Sequence, residues 1–212
     1  MKYRKFSDNR GYSLVELIVV VLIIGVLATG ATLSFSIIYN ADAERSARKF
    51  AAMVNLARSQ AMATEGKDST YIKLKIFIKD GDNYAGVYRC NSAGDEIQEI
   101  ELDKISNYKV EVVLGPKGSP AGTTKTIAEE KDKLGYVEYR FNKATGGIAS
   151  VTSCEIETVT EGEDGNILTY KSPKVGTGLS DSLFFVDILF DGSADSKVII
   201  APATGRCFTV NE

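Results

Sequence analysis

From Leu17 to Ala41 the chain carries no charged side chain, 25 positions in succession, and residues Leu17 to Ala28 are drawn wholly from Leu, Ile, Val, Gly and Ala. A helix needs about 20 mainly apolar residues to cross a bilayer, so this stretch is long enough to span one. Ahead of it, residues 1–11 hold Lys2, Arg4, Lys5 and Arg10 against Asp8 alone, a local net charge of +3. Basic residues before an apolar segment keep the N-terminus in the cytoplasm. The pattern predicts export or membrane anchoring.

Three readings compete for the segment. A secretory signal peptide has the same basic start and apolar centre, and Ala28-Thr29-Gly30-Ala31 supplies small residues at which it would be cut. A plain uncleaved anchor is the second reading. The third begins with Glu16, which has Val15 and Leu17 on either side and no reason to exist in the other two. A carboxylate at the edge of the hydrocarbon costs about 2.5 kcal/mol or more unless it is relieved, and such groups pair with something. Within the same helix no cation is well set to do so, since Arg10 lies six residues away.

Gly11-Tyr12-Ser13-Leu14-Val15-Glu16, followed by the run Leu17 to Ala28, closely resembles the class III signal of type IV pilins and type II secretion pseudopilins. The resemblance implies that a prepilin peptidase cuts between Gly11 and Tyr12 on the cytoplasmic side and methylates the new amine of Tyr12. It also makes Glu16 the fifth residue of the mature chain, matching the Glu of the family. Glu16 would then pair with the terminal amine of a neighbouring subunit and set the register of a filament. Tyr12 stands where Phe is usual, and Leu33 where many members carry a helix-kinking Pro.

The next segment, Ala41 to Glu65, is amphipathic. Phe50, Met53, Val54, Ala57 and Ala61 recur at helical spacing, with Arg45, Arg48, Asn55 and Ser59 on the other side. No Pro or Gly falls within residues 31–65, and Gly66 is a natural stop. One helix from Leu14 to Thr64 would be roughly 75 Å long; two helices broken near Asn40-Ala41-Asp42 are the alternative. Ala57-Arg58 with Ala61 resembles the corresponding part of the H-type minor pseudopilins and related minor pilins. So does the C-terminal pattern Phe190-Asp191-Gly192-Ser193, Val198-Ile199-Ile200 and Thr204-Gly205-Arg206.

Residues 66–212 read as β structure. Ile72, Leu74, Ile76 and Ile78 alternate with Lys73, Lys75 and Lys79, giving one buried and one wet face. Asp80-Gly81-Asp82-Asn83 is a turn, with Tyr84 to Cys90 returning as the hairpin partner. Val110, Val112 and Leu114 alternate, as do Val137, Tyr139 and Phe141, and Leu183 to Phe190 is the most continuously apolar strand. The expected fold is α+β: a long N-terminal helix on an antiparallel sheet or small β-sandwich. The expected divisions are a leader at 1–11, a transmembrane and assembly helix at 12–40, its amphipathic second half at 41–65, and a β domain at 66–212.

Composition narrows the chemistry. The 212 residues include no His, which removes Ser-His-Asp and Cys-His sites and all His-ligated metals. The loop Gly115 to Gly122 lacks the Lys-Ser or Lys-Thr of a phosphate loop, and the acidic loop Glu161 to Asn166 misses the EF-hand pattern; both read as hairpin tips. No catalytic site, metal or cofactor is expected. Loss of residues 1–11 takes the formal charge from −3 to −6, which does not suit nucleic acid. Cys90, Cys154 and Cys207 lie in the exported part. They permit one disulfide, with no pairing selected by spacing, or a reduced and buried set. The expected partners are therefore prepilin peptidase, other pilin subunits and membrane lipid. The rival function is a secreted or anchored binding module with no filament role.

Overall fold

The computed structural model describes residues 13–64, 69–106, 109–116, 123–162, 165–177, 184–191 and 196–211. Within these, 30–40, 106, 109, 113–116, 123–124, 176–177, 184–191 and 211 are described by backbone alone. The helix α1 (Leu14–Ala63, 50 residues) is followed by β1 (Tyr71–Lys79), β2 (Asp82–Cys90), β3 (Glu96–Ser106), β4 (Lys109–Pro116), β5 (Thr123–Ile127) and β6 (Leu134–Phe141). Then come β7 (Ile148–Gly162), β8 (Gly165–Tyr170), β9 (Lys174–Thr177), β10 (Phe184–Asp191), β11 (Ser196–Ala201) and β12 (Arg206–Asn211). The chain divides into two compact units, Met1–Ile38 and Tyr39–Glu212.

The strands of the second unit form one sheet in the order β12-β11-β10-β4-β5-β6-β1-β2-β3, with β7 beside β6 and carrying β8 and β9. The fold is α+β, with a single extended sheet rather than a sandwich. All the described strand pairs are antiparallel except β5 with β6, joined at Ile127 and Leu134. The β1–β2 hairpin is closed by the two residues Asp80 and Gly81, since Lys79 pairs with Asp82. Both have positive φ, +53° and +77°, the geometry of a tight turn whose twist matches its strands.

One face of the sheet packs on α1. The buried apolar side chains of the helix are Ala43, Ala47, Phe50, Met53, Val54, Ala57 and Ala61, a stripe spaced by threes and fours as an amphipathic helix requires. From the sheet come Ile72, Leu74 and Ile76 of β1, Val137, Tyr139 and Phe141 of β6, and Val198 and Ile200 of β11. Alternation of side chains along each strand sends the remaining residues to the far face. At the end of the sheet, β3 pairs among the described strands only with β2, and its Glu96, Glu99 and Glu101 are exposed. The sequence singles out Leu183 to Phe190 for burial; β10 sits between β4 and β11, but its side chains and Leu183 lie outside those described. So do loop residues 117–122, Glu163, Asp164, Gly192 and Ser193.

Candidate functional site

The N-terminal part of α1 is apolar on all sides. Twelve large aliphatic residues between Leu14 and Leu27 are exposed, from 48% at Val20 to 75% at Leu14. A helix that is hydrophobic all round belongs in lipid or among other helices. Among the described residues, no helix is long and apolar enough to cross a membrane; the described side chains of this apolar stretch end at Thr29.

Glu16 lies in the first turn of the helix, where the unpaired N–H groups favour a negative charge. The Leu17 N–H donates to the carbonyl of Ser13 at 3.1 Å, so Ser13 is the cap. Ser13 and Glu16 thus stand at capping-box spacing, a signal present in the sequence and passed over there. Among the described residues no cation is paired with Glu16. Gly11 and Tyr12 lie outside the described residues.

A second constellation lies in the other unit, where α1 meets two turns of the sheet. The Arg58 Nε–H donates to the carbonyl of Thr204 at 2.7 Å. Thr204 and Gly205 belong to the β11–β12 turn at residues 202–205, and the Ile148 N–H donates to the carbonyl of Pro202 at 2.7 Å, tying that turn to the one before β7. The two turns touch through glycines. A Cβ at Gly205, whose φ is +64°, would stand 1.9 Å from the Gly146 carbonyl oxygen, and one at Gly146 would stand 2.9 Å from Arg58 Cγ. The Cys207 thiol closes the contact, lying 3.4 Å from the Ala51 carbonyl oxygen. Two segments singled out in the sequence, Ala57-Arg58 and Thr204-Gly205-Arg206, are thereby brought together.

Alternation along β1 assigns Lys73 to a wet face, and the structure corrects this, because its side chain is only 8% exposed. Its Nζ donates to Glu138 of β6 at 2.9 Å and lies 2.9 Å from Glu96 of β3. Burial pushes the Lys73 pKa down, but the bonds to Glu96 and Glu138 outweigh it and the net direction is up. Lys75 stands within 4 Å of the same two carboxylates. Strand alternation shows that Lys73 leaves the core face; it does not show that two acids from other strands enclose it, so sequence reasoning missed the network. A separate cluster surrounds Glu155, where the hydrogen bond from Lys125 foremost, with Lys171 and Lys174 nearby, holds the carboxyl down at about 2.

All three thiols are free. Cys207 faces α1, whereas Cys90 and Cys154 are opposite Tyr71 and Tyr136 on the far face. Strands β7 and β2 are separated by β6 and β1. At about 4.8 Å per strand, that places Cys154 and Cys90 roughly 14 Å apart or more, beyond the roughly 7 Å reach of a disulfide. In this sheet Cys90 and Cys154 are too far apart to bond directly, and burial pushes the thiols of Cys90 and Cys207 up. Among the described residues no group of Cys, Asp and Glu side chains is set to hold a metal ion.

Residues 6–32 match the family described as the prokaryotic N-terminal methylation motif, the signature of type IV pilins and pseudopilins. No curated protein and no solved structure matches the chain. The matched residues take in Gly11, Tyr12, Glu16 and most of the uncharged run. The motif points to a pilin-like structural subunit rather than an enzyme, one that begins membrane-anchored and passes to a filament. It implies, in general terms, processing by prepilin peptidase and assembly with other pilin subunits.

Proposed function

We propose that this chain is a minor pilin or pseudopilin of a type IV pilus or type II secretion-like filament. Prepilin peptidase removes residues 1–11, cutting between Gly11 and Tyr12, and methylates the Tyr12 amine. The mature chain waits in the cytoplasmic membrane as a single-pass protein, with residues 12–40 in the bilayer and the amphipathic 41–65 and β domain 66–212 outside. Subunits then join through α1. The observation that carries this reading is the methylation motif over residues 6–32, on a helix whose aliphatic residues Leu14 to Leu27 are exposed on every side. Such a surface is stable in lipid and equally stable among neighbouring copies of the same helix, so transfer between the two costs little.

Glu16 supplies the register. Placed in the first helical turn, its carboxylate meets the terminal amine of an adjacent subunit once Tyr12 has become the N-terminus. Assignment to the H-type group draws support from the Arg58 bond to Thr204, because both of the H-like segments meet in that contact.

The test is mass spectrometry of the mature N-terminus in the native host. A chain that begins at Tyr12 with a methylated amine is the expected result. A start near Ala31 would mean ordinary signal-peptide removal, and an intact Met1 a plain anchor carrying a binding module; either outcome overturns the filament reading.

A further inference from the structure

We propose that the pocket beside Tyr71 and Arg140, on the face of the sheet away from α1, binds a sugar bearing a carboxylate. The cavity has a volume of about 460 Å³ and is lined by Tyr71, Arg140, Asn142, Lys143, Ser150 and Val175 among others. That size is within the range of small-ligand sites and takes one pyranose ring. It lies wholly in the unit Tyr39–Glu212, and the proposal does not rest on the filament reading.

The charges on this face decide the ligand. Glu96 and Glu138 are both engaged by Lys73 and Lys75. Arg140, two residues along β6 and in register with Lys73, has no carboxylate within ion-pair distance among the described residues. Its guanidinium carbon instead lies 4.0 Å from the centre of the Tyr71 ring. A guanidinium that close covers the ring face, so its plane is held while its N–H groups remain free at the edge. A planar fork held in this way matches the two oxygens of a carboxylate.

The rest of the lining suits the rest of a sugar. Ser150 faces Arg140 across β6 and β7 and offers a hydroxyl. The Asn142 side-chain oxygen accepts the N–H groups of Ala144 at 2.8 Å and Thr145 at 3.3 Å, which fixes the amide and leaves its NH₂ to donate. Val175 supplies an apolar wall for ring C–H groups. With Glu96 and Glu138 engaged by Lys73 and Lys75, the Arg140 guanidinium makes the pocket locally positive in a chain whose net charge is −3, and a local field of that sign gathers anions.

The experiment is saturation-transfer difference NMR on the full chain in detergent micelles, with galacturonate as the probe and galactose and inorganic phosphate as the other arms. Galacturonate should bind at least tenfold more tightly than galactose, and equimolar phosphate should not displace it. Arg140→Gln should weaken galacturonate at least tenfold, with Arg140→Lys in between, because lysine keeps the charge without the fork. Thermal melting of each variant checks that the fold is retained. Equal binding of galactose, displacement by phosphate, unchanged binding by Arg140→Gln, or no binding by the unaltered chain would each overturn the proposal.

Discussion

The two ends of α1 solve the same problem in opposite ways. Between Leu14 and Leu27 the aliphatic residues are large, lie on every side of the helix and are exposed. Between Ala43 and Ala61 the buried apolar residues form one stripe, and four of its seven members are alanine. Small residues let the sheet approach the helix closely, so a narrow stripe suffices to close a core. The first part carries far more hydrophobic surface than the described residues of its own chain cover. Burial in the second part comes from the chain's own sheet; the first part is left uncovered by the described residues, and on the proposed reading lipid or other copies cover it.

This difference is open to direct attack, with thermal or chemical unfolding of the β-containing unit as the measure. Phe50 is fully buried in the core, so Phe50→Ala should destabilise by about 3–5 kcal/mol. Leu22→Ala, in the exposed part, should leave the unfolding transition where it is; an equal loss from both would erase the distinction. Gly205→Ala should cost about 1–3 kcal/mol, because the new methyl meets the Gly146 carbonyl and the backbone has positive φ. Arg58→Met removes one charge-assisted bond to Thr204 and should cost about 1.5 kcal/mol.

A smaller effect is expected at Glu155. Its carboxyl is held at about 2 against a usual 4.5, so the folded state binds this proton less readily than the unfolded chain. The stabilisation is complete above about pH 4.5 and fades as pH falls towards 2. Glu155→Gln should flatten that part of the acid-unfolding curve while leaving the slope above pH 5 unchanged. Last, Glu16→Ala should not move the unfolding transition at all, yet filament incorporation in the host should fall sharply, read as the ratio of assembled to membrane-bound subunit. Normal assembly of that variant would remove the register role of Glu16.

What the sequence made legible follows from how far each signal reaches. The β1–β2 hairpin was readable because Ile72, Leu74 and Ile76 alternate and Asp80-Gly81 supplies the turn within the same dozen residues. The buried stripe of α1 was readable for the same reason: its period is local. The neighbours of Lys73 were not, because Glu96 is 23 residues away and Glu138 is 65, and alternation assigns a face without naming who shares it. The insertion of β10 between β4 and β11 depends on pairing across some 70 residues and left no local trace. In the N-terminal segment Glu16 stood out because one charge breaks an apolar run, whereas the Ser13 cap hid in an ordinary serine.

The acidic edge of the sheet has a consequence for crowding. Strand β3 ends the sheet with one row of backbone groups unpaired by any described strand, and such a row is a template for joining another copy. Two such edges laid side by side would set Glu99 and Glu101 of each against those of the other, with like charges facing across the new pair. The chain thus carries its own deterrent to sheet growth. Contact between copies along this edge is repulsive, and the face that invites company is left to the helix.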